Sequence, residues 1–321
     1  MRNRFIDGLA LMSTALLTGC ITVNLPPGPG PLMEKEISGS GPAKVLMLDL
    51  SGVISSAEGE GFYPAPSQVA RLKEALLKAS ADSNVRAILL RINSPGGTVT
   101  ASDMLYHELR LFKQKRNIPI VASIMDVGAS GGYYVAMAAD TVVAHPSSVT
   151  GSLGVIMVTM NAQGLLEKIG VQASAITSGP RKDMGSPFRA MTDEERTIFQ
   201  NVINGLYEQF LAVIKDGRKN LSADAIRKLA DGRIYSGEQA KAAGLIDGIG
   251  YLEDAVELAK REAGITDARL IVYQQPGEYR HNIYSRLLGP SDGGAWNALT
   301  SFDLMALIRS GTPQFMYLWM P

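Results

Sequence analysis

The chain of 321 residues holds a single cysteine, Cys20, and only three histidines, His107, His145 and His281. Disulfide frameworks and zinc sites of the Cys/His type are thereby effectively excluded. It also lacks an excess of either charge, since its 31 basic residues cancel its 31 acidic ones. A neutral chain with no long basic run offers nucleic acid no electrostatic footprint, so no nucleic-acid partner is expected. There is no Walker or dinucleotide fingerprint, and no cofactor is expected. What remains is a globular balance, 46% hydrophobic and 19% charged, with ample material for a core.

The first twenty residues read MRNRFIDGLALMSTALLTGC. Arg2 and Arg4 give a positive start, and the apolar run over 8–17 is too short to span a bilayer but suits a signal-peptide core. It closes on Leu17-Thr18-Gly19-Cys20, which resembles a bacterial lipobox. The resemblance implies a signal peptide over 1–19 and a mature chain anchored through lipid on Cys20. More than one acyl chain is needed for stable anchoring. The expected location is the bacterial membrane, with the body outside the cytoplasm (periplasmic). Residues 20–43 are rich in Pro and Gly and read as a tether.

The body shows short apolar runs alternating with helical periodicity. Strands are expected at 44–50, 85–92, 118–124, 141–144, 153–158, 171–177 and 269–274. Helices are expected at 66–80, 100–116, 162–169, 192–219 and 251–263, with two short ones headed by Ser222 and Ser236. Thr192 with Glu195, and Ser236 with Gln239, stand at capping-box spacing. This alternation predicts βαβ units on a buried, mainly parallel sheet, an α/β class. No repeat or linker divides it, so one domain is expected over 44–275. The tail, 276–321, is irregular and ends FMYLWMP, a run that either packs against the body or is aggregation-prone.

Three glycine-marked loops then stand out: NSPGG at 93–97, ASGG at 129–132 and VTGSLGV at 149–155. Parallel sheets bind ligands beyond the carboxyl ends of their strands. The first two loops leave such ends and can share a rim. Acyl transfer needs a nucleophile, a base and backbone N–H groups aimed at an oxyanion. Ser130, ringed by small residues, can be the nucleophile, and the Pro95-Gly96-Gly97 loop can present an N–H. None of the three histidines is placed to act as base. A lysine serves only in its neutral form, which burial can favour. Lys182 lies in SGPRKDMGSPFR between Arg181 and Asp183, a context that by itself reads as a solvated loop.

NSPGG, GASGGYY, TGSLGV and SGPRKDMGSPFR, in this order and spacing, resemble the signal peptide peptidase SppA family in its short, single-repeat form. The resemblance covers roughly 44–263. It implies the ClpP/crotonase-like spiral of βαβ units, followed by C-terminal helical segments. By position it makes Ser130 the nucleophile and Lys182 the general base. Ser152 is then the hydroxyl that orients the lysine, and Gly97 and Gly131 are the oxyanion donors. It also implies a homo-oligomeric ring with active sites near subunit boundaries, where Ser130 and Lys182 can meet across chains rather than within one. The implied substrates are peptides such as signal-peptide remnants, with small and apolar side chains near the cut. Two other readings are an acyl-CoA enzyme of the crotonase type and an inactive lipoprotein scaffold. The export signal weighs against the first, and the complete set of machinery residues against the second.

Overall fold

The computed structural model describes residues 30–58, 66–276, 278, 282–285 and 314–320. The signal segment and Cys20 lie outside them, as does His281. From Pro31 onward the described residues form one compact unit.

The strands are β1 (Met33–Gly39), β2 (Ala43–Ser51), β3 (Val85–Ser94), β4 (Gly96–Thr98), β5 (Ile120–Ala129), β6 (Thr141–Ala144), β7 (Val149–Gly151), β8 (Ile156–Met157), β9 (Ile234–Ser236), β10 (Gly248–Ile249), β11 (Ala268–Gln274) and β12 (Phe315–Leu318). The helices are α1 (Gln68–Ala81), α2 (Val99–Arg116), α3 (Gly131–Ala136), α4 (Gln163–Lys168), α5 (Asp193–Gly217), α6 (Ala223–Leu229), α7 (Gly237–Ala242) and α8 (Leu252–Glu262).

The main sheet runs β1-β11-β2-β3-β5-β6-β10, with β7 beside β5 and β9 beside β7. Pairing is parallel from β11 through β10, and β1 closes one edge antiparallel to β11. Both faces are covered, which explains the unbroken apolar runs of β2 and β3. Side chains alternate across a strand. Leu46, Leu48, Ile88 and Leu90 therefore pack toward α1, α2 and α3, while Val45, Met47, Ala87 and Leu89 pack against Leu252, Ala255 and Ala259 of α8. Truncating a fully buried leucine such as Leu90 to alanine is expected to cost about 2–5 kcal/mol.

β5 is long because it serves two neighbours. Val121–Ile124 pair with β6, and Val127–Ala129 pair with β7. A second sheet of three strands, β4-β12-β8, lies at the carboxyl ends of β3 and β5 and is antiparallel throughout.

Three expectations need correction. Residues 33–39, placed in the tether, form edge strand β1, because 32–38 is free of proline and glycine, Ile37 packs onto the core and β11 supplies a partner. Residues 171–177 form no strand: Val171 and Ile176 are exposed, and no strand among the described residues pairs with them. The expected strand at 153–158 shrinks to the two residues of β8. The apolar terminal run does pack, as β12, with Tyr317 fully buried. Both expected capping boxes form. Among the described residues, no helix is long and apolar enough to cross a membrane.

Candidate active site

β5 ends at Ala129, and α3 begins at Gly131. Ser130 is the whole turn between them, with φ 51° and ψ −114°. Such a backbone is strained for a residue bearing a Cβ, and strain of this kind concentrates at functional sites. Two backbone bonds hold it: Ser130 N–H donates to the Gly151 carbonyl (2.8 Å), and Tyr134 N–H donates to the Ser130 carbonyl (2.9 Å). Its Oγ is buried and has no hydrogen-bond partner among the described residues. The serine thus stands on a sharp strand-to-helix turn at the carboxyl end of an inner strand, a setting that nucleophilic serines also use.

The loop after β3 packs onto this turn through glycines. A Cβ on Gly131 would stand 2.4 Å from Ser102 Oγ and 3.2 Å from Gly96 Cα, and one on Gly132 would stand 2.8 Å from the Ser94 carbonyl oxygen. A Cβ on Gly97 would strike the Ile54 carbonyl oxygen at 1.9 Å. Ile54 clasps this loop on both sides, its N–H donating to Gly96 O (2.8 Å) and its carbonyl accepting from Thr98 N–H (2.9 Å). Thr98 then caps α2 through its side chain. The two loops thus share one rim, as their place after parallel strands predicts.

Over this rim lies β12. It pairs antiparallel with β4, Tyr317 opposite Gly97 and Leu318 opposite Gly96, and on its other side with β8. Trp319 N–H donates to the Pro95 carbonyl (2.8 Å). The Tyr317 carbonyl oxygen would be 1.9 Å from a Cβ on Gly96 and 3.1 Å from one on Gly131, so it lies against both glycines. The Tyr317 ring fills a pocket, stacked on Tyr134 at 5.1 Å and tilted against Phe210 at 4.7 Å, and its hydroxyl donates to the Leu206 carbonyl (2.9 Å). Tyr134 in turn donates to Asp103 (2.6 Å). Burial first, and then that carboxylate, push the Tyr134 hydroxyl far above the usual phenol range, so it is a fixed donor.

Ser152 follows β7 with φ 50°, and its N–H donates to the Arg233 carbonyl (2.7 Å). It lines an open cavity of about 390 Å³ together with Ile156, Tyr207, Asp231 and Leu318. Lys182 is elsewhere, in the exposed turn before α5, where its N–H donates to the Gly179 carbonyl (3.2 Å). Its ammonium has no partner among the described residues. Within one chain the fold therefore brings together Ser130, Gly97 and Gly131, and it gives the Ser130 hydroxyl no lysine. His107 is exposed on α2, and His145 packs against Tyr251 away from the serine. Sequence reading missed β12 and its pocket of Tyr134 and Phe210. The terminal FMYL was the available signal, but its partner strands lie far away in the chain.

Residues 112–266 match the model of peptidase family S49. A protein of Enterococcus faecium named as a candidate signal peptide peptidase SppA is 38% identical, over 74% of this chain and 68% of its own length. One of Methanocaldococcus jannaschii, named as a candidate protease, is 39% identical over 67% of this chain and 69% of its own. Among solved structures, a membrane-bound stomatin-specific protease aligns with 68% of this chain and 85% of its own at 16% identity and a TM-score of 0.44.

Proposed function

The chain belongs to peptidase family S49 and is a serine peptidase, and from that premise we propose that Ser130 is its nucleophile and Lys182 of an adjoining copy its general base. The observation that carries this reading is the seat of β12. A substrate laid along β4 as β12 is would place a peptide carbonyl against Gly96 and Gly131, and Gly131 directly follows Ser130, whose hydroxyl has no partner among the described residues. Strand addition of this kind holds a peptide by its main chain and sorts it by side-chain pockets.

The chemistry then runs as acyl transfer. The lysine amine takes the Ser130 proton as the oxygen attacks the carbonyl carbon. The N–H groups of Gly97 and Gly131 receive the oxyanion. The resulting ammonium protonates the leaving amine, and water releases the acyl group by the same path reversed. Ser152 borders the cavity beside Leu318, which supports its reading as the hydroxyl that orients a lysine entering there. Two observations favour a lysine from a second chain. The Ser130 hydroxyl lacks a partner among the described residues, and Lys182 is displayed in an exposed turn. The exposed Leu165, Ile169, Ile176 and Phe188 around that turn suit burial against another copy, as in a ring.

The substrates proposed are short extended peptides such as signal-peptide remnants. The pocket that holds Tyr317 favours a large aromatic side chain before the cut, a departure from the expectation of small residues. Attachment to the membrane is proposed through lipid on Cys20, with the body outside the cytoplasm. Replacing Cys20 by serine is then expected to release the protein from membranes, and continued attachment would refute lipidation.

The deciding experiment is co-expression of Ser130→Ala chains with Lys182→Ala chains. Each variant alone is expected to be inactive toward a fluorogenic peptide and unreactive with a fluorophosphonate. Mixed assemblies regain both if the dyad forms between chains. A mixture that stays inactive while wild type reacts at Ser130 would place the dyad within one chain, and activity in either single variant would remove that residue from the mechanism.

A further inference from the structure

Lys182 stands between two charged neighbours, Arg181 and Asp183. Left to themselves, an aspartate beside a lysine is a ready local partner. The fold uses both neighbours otherwise. Arg181 pairs with Glu194 in the first turn of α5. Asp183 is gripped by Arg189 through two parallel bonds, Nε to Oδ2 (2.8 Å) and Nη2 to Oδ1 (2.9 Å), with a third from Nη2 to the Asp183 carbonyl (3.3 Å). The same guanidinium reaches Glu195, Nη1 to Oε2 at 3.0 Å and Nη2 to Oε1. Glu195 is buried, only 4% exposed, and its carboxylate also accepts the Thr192 N–H (2.9 Å) as part of the capping box of α5. A planar fork bonded to carboxylates on two sides fixes their orientation as well as their charge.

The consequence falls on Lys182. Both of its charged neighbours are committed to the start of α5, and the turn is closed by Ser186 N–H to Asp183 O (3.1 Å) and Ala162 N–H to Pro187 O (2.6 Å). The lysine alone in the triplet has no partner among the described residues. We propose that Arg189 is a positioning residue for the peptidase reaction: by occupying Asp183 and tying it to Glu195, it leaves Lys182 unpaired and holds it out toward the serine of another copy. The proposal rests on the reading of Lys182 as the base. Without Arg189 the freed Asp183 carboxylate would capture the adjacent ammonium, and a captured ammonium neither accepts a proton nor reaches the serine.

The test is peptide hydrolysis by the full chain carrying Arg189→Ala, alone and combined with Asp183→Asn. Misplacing a reacting group by an ångström can reduce turnover about a hundredfold. The single variant is therefore expected to lose about ten- to a hundredfold in kcat with KM within about twofold. The second substitution removes the competing carboxylate and is expected to restore kcat about tenfold. A merely structural role predicts that the double variant is no better than the single one. That result, or an undiminished kcat in Arg189→Ala, would overturn the proposal. Should Arg189→Ala fail to fold, Arg189→Gln, which can still bond Glu195, serves with the same two outcomes. Activity in Lys182→Ala would overturn the underlying reading and this inference together. An inactive Lys182→Ala beside a fully active Arg189→Ala would overturn this inference alone.

Discussion

The carbonyl oxygen of Tyr317 rests over the α-carbon of Gly96, so close that a Cβ built there would stand 1.9 Å away. The chain's own strand β12 thus covers the rim proposed to seat a substrate carbonyl. A tethered occupant competes at roughly millimolar effective concentration. Deleting 314–321 is expected to raise the rate of fluorophosphonate labelling at Ser130, and the hydrolysis of micromolar peptide, by about tenfold or more. Melting temperature should fall in the same variant, since Tyr317 and Leu318 are buried. Slower labelling in the truncated protein would show that β12 builds the site instead of blocking it.

Gly97 has no room for a side chain, because a Cβ would meet Ile54 at 1.9 Å from its carbonyl oxygen and 2.5 Å from its nitrogen. Gly97→Ala must push β4 away from Ile54 and carry the loop's N–H groups with it. Loss of one oxyanion donor typically lowers turnover about 10²–10³-fold. A kcat reduced by that order, with KM nearly unchanged, is expected from steady-state kinetics. A variant that keeps full kcat would exclude this loop from stabilising the oxyanion.

The backbone of Ser130 at φ 51°, ψ −114° makes a prediction about stability that is separate from catalysis. Glycine adopts these angles without strain, whereas alanine keeps the Cβ that causes it. Ser130→Gly and Ser130→Ala should both be inactive, yet the glycine variant should be more stable than the alanine variant by about 1–2 kcal/mol. In most positions the order is the reverse. Urea midpoints of the two variants decide it, and equal midpoints would mean that the turn relaxes.

The legible parts of the chain share one physical trait. β2, β3 and β5 are covered on both faces, so their apolar runs announce themselves without knowledge of partners. The loops carrying Gly97 and Ser130 were equally readable, because each follows such a strand directly. What failed depended on distant pairing. Residues 171–177 have β-branched residues but no neighbour to pair with, and strand propensity reflects fit to a half-buried surface more than backbone preference. β1 and β12 are strands only because β11, β4 and β8 complete them across long stretches of chain. Lys182 could be matched by resemblance, but the network that leaves it unpaired joins Asp183, Arg189 and Glu195 in space, whereas in sequence Asp183 reads as part of a solvated loop and Glu195 only as half of a helix cap.

That network also sets an acid limit. The Arg189 guanidinium first, and the Thr192 N–H second, hold the Glu195 carboxyl down to about 2, and Arg189 likewise holds Asp183 below the usual carboxylate range. A carboxyl depressed by folding contributes stability that is complete above its unfolded value, about 4.3 for glutamate, and is lost as pH falls toward the folded value. The window for Glu195 therefore runs from about pH 4.5 down to about 2. Calorimetric melting temperatures should decline across that window in the wild-type chain. Glu195→Gln keeps the capping box, since glutamine serves at the same position. It should melt lower than wild type at neutral pH and converge with it as the pH approaches 2. Two curves that run parallel through the window would show that the Arg189–Glu195 pair adds nothing to folding.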